Sequence, residues 1–437
     1  MLLYSTGNKN LRIPFQEAIF NSLPLEEGLY MPMEIPRLDP LFLRQLPQYD
    51  LPEIAFEVAK TLLGNAIPQA DLKNIVHEAI NFPAPIRILD KGLAVLELFH
   101  GPSLAFKDFG ARFMSRIMGY FLDPQEKMLD VLVATSGDTG GAVALGFLGV
   151  KGIRVTILYP KGKVSPIQEL QLTTNGQNIR ALEVDGSFDD CQALVKQAFR
   201  DPQLRDSLRL TSANSINIAR LLPQTFYYFH AWAQILMQGI PKVAFVVPSG
   251  NFGNIAAGIL AWKMGLPVHQ FVAATNANDT VPRFLSSGIY KPKPAVPTFS
   301  NAMDVGDPSN WTRIMDLFDG DTSTLKQQFS AYAFSDAETR EAIAHLYDQY
   351  AYVACPHTAI AWKAATEFRQ KEPGDYAAVF LSTAHPCKFP DVIPQEILGT
   401  LPLPKQVIGL EAKKSHKISM KNDYRNFQQF LLENLEN

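Results

Sequence analysis

Cysteine is scarce, with three residues in a chain of 437. Cys191, Cys355 and Cys387 stand far apart, with no CxxC pair and no metal-ligand spacing. They read as reduced thiols of a cytosolic protein, and neither a disulfide framework nor a structural metal is expected. An excess of charge is missing too: 40 Lys and Arg against 43 Asp and Glu leave a net charge of −3. No broad basic field is available to draw nucleic acid or anionic lipid. No apolar run approaches the roughly 18 residues of a membrane helix. The first residues, MLLYSTGNKNLRIPF, lack the basic stretch and apolar core of a secretory leader. A soluble, cytoplasmic protein is expected, with a small molecule as its partner and no nucleic acid or membrane.

What is present is a globular composition, 47% hydrophobic and 19% charged, long enough for two or three domains with large cores. Residues 1–81 read as mixed and largely helical, and NFPAPIRIL marks a boundary because Pro83 and Pro85 stop a helix from running through. From about residue 86 short β-branched runs alternate with glycine turns and longer helical segments. DVLVATSGDTGGAVALGFLGV, IRVTILYP, IRALEVDGSFDDCQALVKQAF, KVAFVVPSGNFGNIAAGILAWKMG, HQFVAAT and YAAVFLSTAHP supply them. That alternation predicts an α/β fold with parallel sheets covered on both faces, and ligands beyond the strand C-termini where the glycine turns lie. Residues 281–311 carry five prolines and little periodicity, so a long irregular excursion is expected there. The charged tail after Leu410 reads as locally helical and peripheral.

Two glycine turns and one lysine carry the chemistry. In VVPSGNFGN, Ser249, Gly250, Asn251, Phe252 and Gly253 sit between a buried strand and a helix. Glycines let backbone approach a ligand, and the first N–H groups of the helix suit an anion. The helix dipole adds only roughly 0.3–1 kcal/mol, so the amides and the Ser249 hydroxyl must do most of the holding. The turn matches neither the P-loop nor G-x-G-x-x-G. The second turn, ATSGDTGG, holds Ser136, Asp138 and Thr139. Taken alone, it reads as Asp138 or Thr139 capping a helix; taken with the first, it reads as the other end of a cleft that receives a ligand charged at both ends. Lys107, between Phe106 and Phe109, begins a helix whose apolar positions recur at 109, 113, 117 and 121. A lysine that attacks a carbonyl must shed its proton. Lowering its pKa by ~3 units corresponds to about 4 kcal/mol of bias against the ammonium. A lysine for an aldehyde carbon and a cup for a phosphate together suit pyridoxal 5′-phosphate. A snorkelling Lys107 with its amine in water is the competing reading.

The stretches ELFHGPSLAFKDFG, ATSGDTG, SANSINIAR, VPSGNFGN, AATNANDTVPRFL, SNAMDVGDPSNW and STAHPCKFP occur in this order. Together they resemble the threonine synthase family of the bacterial and fungal branch. The resemblance implies a fold-type II pyridoxal-phosphate enzyme, similar to the tryptophan synthase β chain, with the cofactor in a cleft between two parallel-sheet α/β domains. The expected division is an N-terminal domain at 1–82, a large domain at 83–109 and 228–410, a small domain at 110–227, and a helical tail at 411–437. It implies that Lys107 carries the cofactor aldehyde and shuttles protons. Ser249, Gly250, Asn251, Phe252, Gly253 and Asn254 would hold the cofactor phosphate, and Thr383 would meet the ring nitrogen. Asp138 would contact the 3′-oxygen where many relatives have asparagine, and two oxyanions there would have to share a proton. Ser136 and Thr139 would receive the substrate carboxylate. Asn214 and Arg220 would grip the phosphate of O-phosphohomoserine, which a guanidinium fork suits. Ser103 stands where threonine is frequent, and the hydroxyl is kept.

The implied reaction turns O-phospho-L-homoserine and water into L-threonine and phosphate, making the chain a carbon–oxygen lyase of threonine biosynthesis, monomeric or homodimeric. Arg220 on spacing alone also reads as a surface salt bridge. His100, His357 and His385 read first as packing or hydrogen-bonding residues. A serine/threonine dehydratase or a cysteine-synthase-like enzyme would share Lys107 and the cup without needing the second phosphate grip. A non-catalytic nucleotide-binding regulator would use both glycine turns and no lysine.

Overall fold

Near-continuous apolar runs such as VAFVVP (Val243–Pro248) and AAVFLS (Ala377–Ser382) are buried along their whole length, as strands covered on both faces must be. The computed structural model describes residues 1–433 apart from positions 25, 27 and 124. It places these strands at the centre of a six-stranded sheet. The spatial order is Phe329–Ala333, Val268–Thr275, Val243–Pro248, Ala377–Ser382, Leu93–Glu97 and Ile86–Asp90. All neighbours run parallel except the last, which pairs antiparallel with Leu93–Glu97.

The second sheet has five strands in the order Lys417–Lys421, Ile179–Asp185, Ile153–Pro160, Leu129–Ala134 and Arg209–Ser212, all parallel. Parallel neighbours need crossovers. The helices Asp138–Phe147 and Pro166–Thr173 provide two of them here, and Gly253–Lys263 provides one in the larger sheet. Helix Phe188–Arg200 is amphipathic, burying Cys191, Leu194, Val195 and Ala198, and starts with a reciprocal cap between Ser187 and Asp190.

The N-terminal region is mixed and largely helical, as its sequence suggests. Helices Leu51–Leu63 and Gln69–Ala79 form as expected, and Leu2–Ser5, Asn8–Pro14 and Tyr30–Pro32 make a three-stranded antiparallel sheet before them. The helix expected in the tail forms, but a strand not expected from the sequence precedes it. Lys417–Lys421 adds a strand to the open edge of Ile179–Asp185, and only then does helix Tyr424–Glu433 follow. The strand KISMK is flanked by lysines and mostly exposed, so it gives no buried run to read, and it covers the edge of Ile179–Asp185.

The proline-rich excursion is found, with helix Thr280–Ser287 at its start and a 3₁₀ turn at Asn301–Met303. Side chains tie it down: Asn276 Nδ2 donates to Thr298 Oγ1 (2.7 Å) and Asp304 Oδ1 (2.8 Å), and Asn278 Nδ2 donates to the Val296 carbonyl (3.0 Å).

Phe427 of the tail helix is fully buried in a cluster with Leu182, Leu194 and Leu204. Phe427→Ala is therefore expected to destabilise the protein by about 3–5 kcal/mol, read as a lower midpoint in urea unfolding. An unchanged midpoint would show that the tail is not integral to this sheet.

Candidate active site

The C-terminal ends of the two parallel sheets face one cavity of about 1320 Å³. Every residue singled out above reaches its wall: Lys107, Ser136, Asp138, Thr139, Asn214, Arg220, Ser249, Gly250, Asn251, Phe252, Gly253, Asn254 and Thr383. The excursion covers it, contributing Tyr290, Lys293 and residues 301–309.

Lys107 is the first residue of helix Lys107–Phe121, which has no side-chain cap. Its Nζ lies 5.8 Å from the centre of the Phe106 ring. Phe109 does not flank the amine as its spacing suggested; it packs edge-on against Phe82 and Tyr227 in the core. Burial pushes the Lys107 pKa down to about 8, with Asp138 opposing the shift and Lys388 and Arg220 adding to it. A substantial fraction of the amine is therefore neutral near physiological pH, as carbonyl chemistry requires.

The turn after Val243–Pro248 has the form of a cup that could hold an anion. Phe252 adopts a left-handed backbone, φ 57°, just ahead of helix Gly253–Lys263. Among the described residues, the amides of Gly250, Asn251, Phe252 and Gly253 donate to no other protein atom. Asn254 accepts at Oδ1 from the hydroxyls of Tyr227 and Tyr228, both at 2.7 Å, and its buried Nδ2 has no partner. An orphan donor and a row of free amides suit a phosphate. The Ser249 hydroxyl donates to the Val247 carbonyl (2.9 Å), so in this state the amides rather than that hydroxyl are the free groups. A Cβ on Gly250 would stand 2.5 Å from Met303 Cα, which is why only glycine fits beneath the cover.

In the second turn, neither Asp138 nor Thr139 caps the helix. Thr135 Oγ1 accepts from Gly137 N (2.9 Å) and Gly140 N (2.8 Å) instead. Gly137 sits at φ 130° against the Gln168 side chain. The freed Asp138 carboxylate meets Lys388, whose Nζ lies 2.6 Å from Oδ1, and Gln168 Nε2 donates to the same oxygen at 2.9 Å. Burial works to raise the Asp138 pKa, but the Lys388 and Lys107 ammonium groups hold it well below the ordinary carboxylate range.

Arg220 is 3% exposed and makes no ion pair among the described residues. One Nη donates to the Ala213 carbonyl, and Nε has no partner. Burial pushes its pKa down to about 10, against the nearby Asp108. The surface salt bridge is thereby excluded. Asn214 Nδ2 donates to Ala134 O at 2.9 Å, while Asn217 is a structural cap that donates to Ile19 O and Ser212 O.

Three residues, Arg313, Asn310 and Lys388, carry roles that their sequence surroundings do not announce, and a fourth, His357, stands closer to the site than its packing assignment implied. His357 lines the cavity, its Nε2 without a partner, and burial holds it neutral with a pKa near 4. His385 and His100, as expected, serve local bonds to Cys387 N and Glu97. Arg313 is fully buried and donates to Tyr30 O, Ser215 O, Ile216 O and Asn310 Oδ1. Asn310 in turn donates to Asn251 O (3.0 Å). The pair thus joins the N-terminal sheet, the 214–216 loop and the cup. STAHPCKFP displayed Lys388, but its partner Asp138 is remote in sequence.

The comparisons with known proteins agree with this geometry. A family model described as pyridoxal-phosphate dependent enzyme matches residues 87–383, threonine synthase N terminus matches 3–80, and threonine synthase, C-terminal matches 358–431. The chain is 46% identical over 406 residues to threonine synthase of Serratia marcescens, covering 93% of each. It is 44% identical over 408 residues to that of Escherichia coli K12, covering 93% of this chain and 94% of the relative. The chain belongs to the threonine synthase family. The E. coli threonine synthase crystal structure superposes with a TM-score of 0.92 at 41% identity, over 99% of this chain and 100% of that one. A PLP-bound threonine synthase from Brucella melitensis gives 0.90 at 36%, over 99% and 98%. A threonine deaminase from Solanum lycopersicum, 17% identical with a TM-score of 0.56, shares the fold only. Pyridoxal phosphate is the cofactor of this family, and the free amides, the Asn254 orphan donor and the partly neutral Lys107 fit it.

Gly250→Ala is expected to displace the 302–303 segment and weaken cofactor binding about 10-fold, near 1.4 kcal/mol. Titration of the cofactor-stripped protein with pyridoxal phosphate, followed by absorbance, measures this. Unchanged affinity would mean the phosphate lies elsewhere.

Proposed function

We infer that the protein converts O-phospho-L-homoserine and water to L-threonine and phosphate, eliminating phosphate at Cγ and adding water at Cβ. The observation that carries this is Arg220. A buried guanidinium without a carboxylate partner is costly, and a phosphorylated substrate supplies what it lacks. A dehydratase or β-replacement enzyme would leave that charge unused. The likeness to named threonine synthases over nearly the whole chain supports the same reading.

In this reading the amides of residues 250–253 and Asn254 Nδ2 would hold the cofactor phosphate, and Thr383 Oγ1 would meet the ring nitrogen. A hydroxyl there does not enforce a protonated ring as a carboxylate would. Bound pyridoxal phosphate supplies the electron sink that makes the substrate Cα proton removable. The neutral Lys107 amine would take that proton and, as phosphate leaves, a second one from Cβ; it would then return protons to Cγ, which becomes the methyl group, and to Cα. Ser136 and Thr139 orient the substrate carboxylate at the start of helix Asp138–Phe147, where amides favour an anion. Arg220, with Asn214, draws the γ-phosphate and stabilises it as it leaves with the bonding electrons. The released phosphate, still held there, is placed to accept a proton from the attacking water. Residues 290–309 keep bulk water from the intermediate until that stage. The division into an N-terminal domain, two α/β domains that close on substrate, and a tail belongs to this reading. So does a cytoplasmic monomer or homodimer; three buried free thiols are in keeping with a reducing compartment.

Purified enzyme is expected to release phosphate and form threonine from O-phosphohomoserine, with Lys107→Ala inactive and without a borohydride-trapped pyridoxyl group. Absence of that group at Lys107 in the native chain would refute the assignment. Arg220→Ala should lower kcat/KM for the phosphorylated substrate by about 3 kcal/mol, roughly 150-fold, and hardly change any residual turnover of serine. An equal loss on both substrates would show that Arg220 does not hold the phosphate.

A further inference from the structure

Lys388 is fully buried, 0% exposed, in the 3₁₀ turn Pro386–Lys388 that follows Thr383. A lysine so placed is rare unless paired. Its Nζ donates to the Ser103 carbonyl at 2.9 Å and lies 2.6 Å from Asp138 Oδ1. That oxygen also accepts from Gln168 Nε2. Among the described residues, Asp138 Oδ2 receives no hydrogen bond, and Asp138 lines the cavity beside Lys107. The carboxylate is thus held by one oxygen from behind, with the other left for a ligand.

We infer that Lys388 is a positioning residue, a fixed counter-charge that lets Asp138 stand as a carboxylate toward the cofactor and so sets the proton balance of the Lys107 amine. This resolves the difficulty of an aspartate beside the cofactor 3′-oxygen. The pair Asp138 and Lys388 is neutral as a unit, so the pocket can accept an oxyanion there without adding a second uncompensated negative charge. The inference rests on the proposed function for the identity of that ligand, but its electrostatic content belongs to this chain alone.

The groups that face the pair come from several elements. Lys107 and Asp108 lie on helix Lys107–Phe121, Arg220 on Ile218–Leu221, His357 on Pro356–Lys371, and Cys355 and Cys387 flank them. His357, held neutral by burial, and the two thiols, whose pKa values burial raises, carry no charge near pH 8. Of the charges that act on the Lys107 amine, Arg220 is untouched by the variants below, and removal of Asp138 or of Lys388 should register there in opposite senses.

The test uses the full chain stripped of cofactor. A brief pulse of acetic anhydride labels amines at a series of pH values, and mass spectrometry of the Lys107 peptide gives the pH at which labelling is half-maximal. Asp138→Asn should lower that midpoint by about one pH unit, because an anion that favours the ammonium is gone. Lys388→Met should raise it by a similar amount, and the double variant should return close to the native value. Native midpoints in both single variants would overturn the inference, since a residue needed only for packing would not move them. Should Lys388→Met alone fail to fold, Asp138→Asn and the double variant still decide. They differ only at residue 388, and equal midpoints would refute the role. In the cofactor-loaded native enzyme, borohydride should leave a pyridoxyl group on Lys107. Its absence would count against the proposed function, whereas unshifted midpoints with the group present would count against Lys388 only.

Discussion

The site depends on positive charge held away from water. Lys107 and Arg220 line one cavity, Lys388 stands buried against Asp138 of its wall, and the carboxyls beside them are Asp138 and Asp108. Asp108 is itself pushed up to about 6 by burial, against the hydrogen bond it accepts from Ser103. Such an arrangement costs folding free energy unless anions complete it. Two phosphates and a carboxylate are what the proposed reaction brings. The same electrostatics serve catalysis, because a cation excess that is solvated poorly before binding is worth most when phosphate leaves with a full negative charge.

The fold delivers these charges from distant parts of the chain. Two parallel sheets, each with buried strands and C-terminal turns, meet across the cavity. The small helix Ile218–Leu221 brings Arg220 close beneath Gly110, where a side chain would collide with the guanidinium. Arg313 and Asn310 then fix the 214–216 loop against the cup. The places proposed for the substrate phosphate and the cofactor phosphate therefore share one hydrogen-bonded frame, which would fix their separation before either ligand binds.

Much of this could be read from residues near one another in sequence. The strand, glycine turn and helix at 243–263 carry their own signal, as does the period-four apolar face of the helix that Lys107 opens, whereas of the two flanking aromatics only Phe106 lies near the amine. What escaped depended on partners far along the chain. Lys388 stood in a recognised stretch, but its meaning comes from Asp138 on the other sheet. Asp138 looked like a helix cap until the Thr135 hydroxyl was seen to take that task, freeing the carboxylate. Arg220 resembled a surface ion-pair residue because spacing does not report burial. The strand Lys417–Lys421 was hidden by its charges, since an edge strand facing water needs no apolar run.

The central claim, that one cavity holds two separate phosphate sites on either side of Lys107, is tested most directly by a crystal structure of the cofactor-loaded enzyme with a phosphonate analogue of O-phosphohomoserine. The account predicts two phosphorus positions. One lies on the amides of Gly250 to Gly253, in density continuous through the cofactor, and the other is within hydrogen-bond reach of the Arg220 guanidinium. A phosphonate bound away from Arg220, or a cofactor phosphate seated on the Ser136–Thr139 turn, would contradict it.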